Sequence, residues 1–148
     1  MDRFSRVFAA LALIVVLTLG LAGCTTTGDA LQGTNWRLTG WGGTSIDPTS
    51  LDSIDIASGK ITANFADGRI SGNSGVNTYS GAYKVTPAGS FSAGPIAATE
   101  MAGPEPAMRA ESAYLTLLGQ AKSYEVVGSQ LTLFGSNGDD RLVFERSD

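Results

Sequence analysis

The sequence contains no histidine and only one cysteine, Cys24. Imidazole is the usual general base near neutral pH and a frequent metal ligand. Its absence removes Ser-His-Asp and Cys-His catalysis, along with every histidine-bearing zinc site. No basic cluster follows Arg6, and the formal net charge is −4. The clustered Lys/Arg surface that a phosphate backbone requires is therefore missing, and nucleic acid is not an expected partner. The same acidity disfavours attachment to an anionic membrane through a basic patch. Catalysis would be left to carboxylates, tyrosine, lysine or a bound cofactor; a carboxylate-dependent hydrolase is the least expected reading, and no cofactor or metal is expected. At 148 residues the chain holds one ordinary domain at most.

What is present begins with the leader. Arg3 and Arg6 precede an apolar run from Val7 to Ala22, interrupted only by Thr18 and Gly20. The run is shorter than the ~20 residues that usually span a bilayer. A basic start, a short apolar stretch and small residues at its end are the features of a secretory signal. The run closes on Leu21-Ala22-Gly23-Cys24, which resembles a bacterial lipobox. That resemblance implies cleavage before Cys24 and a diacylglyceryl thioether on its sulfur, with palmitate-type acylation of the new amino group. One acyl chain anchors only marginally whereas two hold stably, so this lipid alone would serve as the membrane anchor.

The expected organisation is a signal peptide over 1–23, a lipidated cysteine and polar tether over 24–30, and a domain over 31–148. The expected partner is a membrane, through lipid, on the far side of the cytoplasmic membrane. Thr25 after the cysteine resembles outer-membrane sorting in two-membrane bacteria. In a single-membrane cell the anchor would be the outer face of the cytoplasmic membrane.

After the tether the chain reads mainly as strand. Leu31 to Trp41 alternates, with Trp36 and Leu38 on one face. Ile61 to Phe65 alternates, meets Asp67-Gly68 and continues into Arg69 to Ser71, which is a hairpin pattern. Tyr79 to Val85, Ser90 to Ala97, Ser123 to Val127, Gln130 to Phe134 and Arg141 to Glu145 read as further short strands. One segment differs: Pro104-Glu105-Pro106 leads into Ala107 to Ala121. There Met108, Tyr114, Leu115, Leu117, Leu118 and Ala121 recur at helical spacing. The fold expected is mainly β with one α-helix: a small curled antiparallel sheet or partial β-barrel with the helix packed against it.

Gly75-Val76-Asn77-Thr78-Tyr79-Ser80-Gly81-Ala82-Tyr83 resembles the G-C-N-x-[FY]-S-G-x-Y signature of the META domain, the HslJ-like family of bacterial envelope proteins. Gly94 to Ala102, the Ala-Tyr-Leu-Thr-Leu-Leu helix segment and the Leu142-Val143-Phe144 ending follow in the family's order. The resemblance runs from Leu31 to Arg146. It implies a non-enzymatic role in envelope stress response or stabilisation, and in some relatives a link to drug tolerance or virulence-related secretion. Many relatives carry cysteine where this chain has Val76 and Gly103. Replacement of both is the outcome expected if those cysteines pair.

Other constellations have plainer readings. Gly72 to Gly81 lacks phosphate-loop spacing and reads as a turn or bulge, with Asn77 bonding backbone. Asn137-Gly138-Asp139-Asp140 lacks the ladder of a calcium loop and reads as a solvated hairpin turn. Glu105 and Glu111 read as surface charges favoured near a helix start, and Glu100 adds no acid/base pair. Trp36, Tyr79, Tyr83, Tyr114 and Tyr124 read as core, and Trp41 less so because it sits among glycines. If these aromatics instead lined a concavity, the domain would be a small-molecule binding module. The preferred reading is a monomeric envelope lipoprotein that works by binding an envelope protein of unknown identity.

Overall fold

The computed structural model describes residues 29–44 and 60–147. The leader, Cys24 and the tether up to Gly28 lie outside them.

Asp67 and Gly68 both adopt positive φ, 51° and 71°. That suits the right-handed twist of the flanking strands and closes the expected hairpin. Its arms are β2 (Thr62–Ala66) and β3 (Arg69–Asn73). They are preceded by β1 (Thr34–Gly42) and followed by β4 (Thr78–Val85) and β5 (Phe91–Ala98). Helix α1 (Glu105–Gln120) separates these from β6 (Ala121–Val127), β7 (Gln130–Gly135) and β8 (Arg141–Arg146).

All eight strands form one antiparallel sheet in the order β5-β4-β3-β2-β1-β8-β7-β6. The sheet is two meanders joined where β8 pairs with β1. It curls until its edge strands meet at one point, where Ser90 bridges Ser123 and the Tyr124 amide donates to the Gly89 carbonyl at 2.8 Å. The fold class expected from the alternation is therefore observed, as a half-barrel.

The concave side is filled. Trp36, Phe65, Tyr114 and Phe144 are fully buried, together with Leu31, Leu38, Ile70, Leu131, Leu133 and Leu142. Phe65 meets the edges of Tyr83 and Phe91, and Tyr114 lies between Tyr79 and Phe144. Helix α1 contributes Ala110, Ala113, Tyr114, Leu117 and Leu118 to this interior.

The strand registers define two ends of the half-barrel. One end gathers the start of β1, the β2–β3 turn, the β4–β5 turn, the β6–β7 turn and the end of β8. The other gathers the end of β1, the β3–β4 turn, the end of β5 and the β7–β8 turn. Helix α1 leaves from the end of β5 and re-enters at the start of β6, so it caps this second end.

Asp29, read from the sequence as tether, is bound into the fold. Its carboxylate accepts from the Leu31 amide at 2.8 Å and from the Tyr83 hydroxyl. Strand β1 itself starts at Thr34, later than the Leu31 expected, and Asp29 is held by side-chain bonds that no alternation records.

Candidate functional site

The densest polar cluster in the described residues lies where α1 meets the β3–β4 turn. The turn begins as a local side-chain motif: Asn73 Oδ1 accepts from the Gly75 amide at 2.8 Å, and Gly75 takes φ +123°, where only glycine is relaxed. Ser74 and Asn77 then close it, with the Ser74 amide donating to the Asn77 carbonyl at 2.8 Å.

Asn77 uses all of its hydrogen-bonding capacity. Its Nδ2 donates to Glu111 Oε1 at 2.7 Å and to the Met101 carbonyl at 3.2 Å. Its Oδ1 accepts from the Met101 amide and from Thr99 Oγ1, both at 2.7 Å. One side chain thereby ties together the turn, the segment after β5 and the helix.

Glu111 is the helix's half of this cluster. Its Oε2 accepts from Ser74 Oγ at 2.6 Å, from the Asn77 amide at 2.8 Å and from the Val76 amide at 3.3 Å. Burial pushes its carboxyl upward, but the bonds from Ser74, Asn77 and Val76 outweigh that and hold it below the usual carboxylate range. The reading of Glu111 as a surface charge is therefore corrected, since it is 7% exposed. The cause is position: Glu111 shares the inward stripe with Tyr114 and Leu118, three and seven residues on. An acid on that apolar stripe was the signal available in the sequence.

A serine 2.6 Å from a carboxylate invites comparison with a catalytic pair. Ser74 and Asn77 are 0% and 1% exposed, so no substrate reaches them. The Ser74 proton is already held between Glu111 and the Asn77 carbonyl. A carboxylate kept ionised by so many donors is also a weak base. The arrangement is a structural clamp, and it converts the turn expected at Gly72 to Gly81 into a tertiary joint. Asn77 does bond backbone as expected, but that of Met101 rather than of its own turn.

Glu100 and Glu105 do not join Glu111. Both are exposed, and Glu105 pairs with Arg109 one turn on at 2.5 Å. The β7–β8 turn also differs from expectation at one residue. Asp140 is 5% exposed rather than solvated, accepting from Asn137 Nδ2 at 3.0 Å and lying against the open Cα of Gly43. No group of three acidic or cysteine side chains that could hold a metal occurs among the described residues.

Of the aromatics, Trp36, Tyr79, Tyr83 and Tyr114 are core as expected, whereas Trp41 and Tyr124 are half-buried. The Trp41 indole N–H has no acceptor among the described residues. A shallow depression beside the end of α1 is lined by Gln120, Lys122, Asn137 and Asp140, with no aromatic side chain.

The segments joined by the clamp lie within the region that comparison with known proteins identifies. A family model for the META domain matches residues 29–148. The chain belongs to the META domain family. Among solved structures it is similar to a Burkholderia xenovorans protein determined by NMR: 29% identical, covering 79% of this chain and 83% of that one, TM-score 0.60. It is also similar in fold to a DUF4847 family protein from Bacteroides vulgatus, 15% identical, covering 80% and 97%, TM-score 0.57. No curated protein matches the chain.

Two META motif features take on physical meaning here. A Cβ on Gly81 would lie 2.9 Å from the Pro95 carbonyl oxygen of β5, so the motif glycine permits the β4–β5 approach. Val76 and Gly103, the positions where the family resemblance implies a cysteine pair, face one another. A Cβ on Gly103 would stand 3.4 Å from Val76 Cβ and 2.7 and 2.8 Å from its two methyl carbons. The valine occupies the space that a second side chain would need.

Proposed function

We propose that this META domain is an envelope lipoprotein, held by lipid on Cys24 outside the cytoplasm, where it works by binding in envelope stabilisation or stress response. The observation that carries the reading is the position of the chain's lone cysteine. It ends an apolar leader behind Leu21-Ala22-Gly23 and stands five residues before Asp29. A diacylglyceryl cysteine supplies two acyl chains, enough to hold a domain without any apolar surface of its own.

A role without turnover is supported by the closed state of the Ser74–Asn77–Glu111 cluster and by the filled interior. The partner is then an envelope component met at the surface, with no cofactor besides the covalent lipid.

The test is metabolic labelling with a fatty-acid analogue in a lipoprotein-processing host. Label is expected on the intact chain and lost in Cys24→Ala, with the protein moving from the membrane to the soluble fraction. Undiminished label on Cys24→Ala refutes the anchor. Cross-linking in cells followed by capture of the lipidated chain would then read out its partner.

A further inference from the structure

The two ends of the half-barrel are not equivalent with respect to Cys24. Resting on the lipid-anchor reading above, we infer that the end carrying the β2–β3, β4–β5 and β6–β7 turns faces a lipid headgroup surface. The helix-capped end, with the Ser74–Asn77–Glu111 clamp, points away from the membrane.

The first ground is reach. Asp29 is fixed at the open end by Tyr83 and the Leu31 amide, beside the start of β1. Five peptide steps separate it from Cys24, and fully extended they span at most ~18 Å. Strand β4 has eight residues, about 26 Å along its length. A barrel-like tilt of roughly 40° leaves the two ends about 20 Å apart in height. A tether this short keeps the near end at the headgroups and does not let the domain turn over.

The second ground is the composition of the near-end turns: Thr86–Ser90 and Val127–Gln130 carry no charged residue, so neither brings a like charge to an anionic headgroup surface. The exposed Val127, 64% accessible, stands on the near-end β6–β7 turn.

The experiment uses full-length protein, processed and lipidated in a bacterial host and reconstituted in vesicles of phosphatidylethanolamine and phosphatidylglycerol. Thioether formation leaves Cys24 without a free thiol, so Ala88→Cys in the β4–β5 turn and Ala102→Cys beyond the end of β5 each offer one labelling site. Both positions are exposed. A fluorophore on each is quenched by a headgroup nitroxide lipid. Quenching at 88 should exceed that at 102 by about twofold or more, given the ~20 Å difference in height along β4 and β5.

Inserting twenty Gly/Ser residues after Thr27 adds a coil of about 25 Å and should remove the difference. Equal or reversed quenching in protein that floats with the vesicles overturns the orientation alone. Protein that does not float overturns the anchor reading, and the orientation with it.

Discussion

Placing cysteines at Val76 and Gly103 gives a quantitative test of the geometry around the clamp. A Cβ on Gly103 lies 3.4 Å from Val76 Cβ, against the 3.5–4.5 Å typical across a disulfide. In Val76→Cys/Gly103→Cys the valine methyls at 2.7 and 2.8 Å disappear, so the remaining adjustment is about a tenth of an ångström. Gly103 has no positive φ, so a side chain there carries no backbone strain. The bond would close a loop of about 28 residues, for which the chain-entropy expression gives roughly 3.6 kcal/mol at 25 °C. With a urea m-value of about 2 kcal/mol/M, the midpoint should rise by nearly 2 M on oxidation. The assay is urea unfolding of the double variant with and without reductant, in a chain starting at Thr25 so that no other thiol competes. Thiols that stay free under oxidised glutathione, or identical midpoints in both states, would refute the placement of β5's exit against the β3–β4 turn. The single variant Gly103→Ala should be destabilised beside Val76 and largely relieved beside Val76→Ala.

Glu111→Gln keeps the shape of the clamp but turns an amide N–H₂ toward groups that are themselves donors. It should cost about 2–3 kcal/mol in urea unfolding, as expected for bonds to a charged group. The pH dependence follows from the same residue. Its folded pKa lies below the ordinary value of 4.5, so its contribution is fully present above that value and is lost as pH falls through the folded pKa. Unfolding free energy measured from pH 7 down to pH 3 should therefore fall more steeply in the native protein than in Glu111→Gln, and parallel curves would refute the assignment. In the tyrosine pair, Tyr79 donates to the Thr62 carbonyl at 3.0 Å and so accepts from Tyr114 at 2.6 Å. Tyr79→Phe, which strands both partners, should cost about 1–3 kcal/mol, and Tyr114→Phe about 1 kcal/mol or less.

The legible part of this fold was the part written in short-range periodicity. Asp67-Gly68 sets its own turn through two positive φ values, and Thr34 to Leu38 alternates because successive side chains face opposite sides of the sheet. Helix α1 was legible from Tyr114, Leu117 and Leu118, and from prolines at its start. Its boundaries shifted only by including Glu105 and Pro106 and by releasing Ala121 to β6. Glu111 was misread for a definite reason: a carboxylate in the second turn looks solvated until the partners that desolvate it are known. Those partners, Ser74, Val76 and Asn77, stand more than thirty residues away.

The sequence by itself determined the strands, the helix, the family and the place of the lone cysteine, because each is encoded by neighbours within a turn or a motif. Only the tertiary structure decided that the aromatics fill the half-barrel, that Asp29 belongs to it, and that Asn77 and Glu111 form one buried joint. It also decided that Val76 and Gly103 are in contact. These depend on closure of the sheet, which brings together side chains whose separation along the chain leaves no local trace.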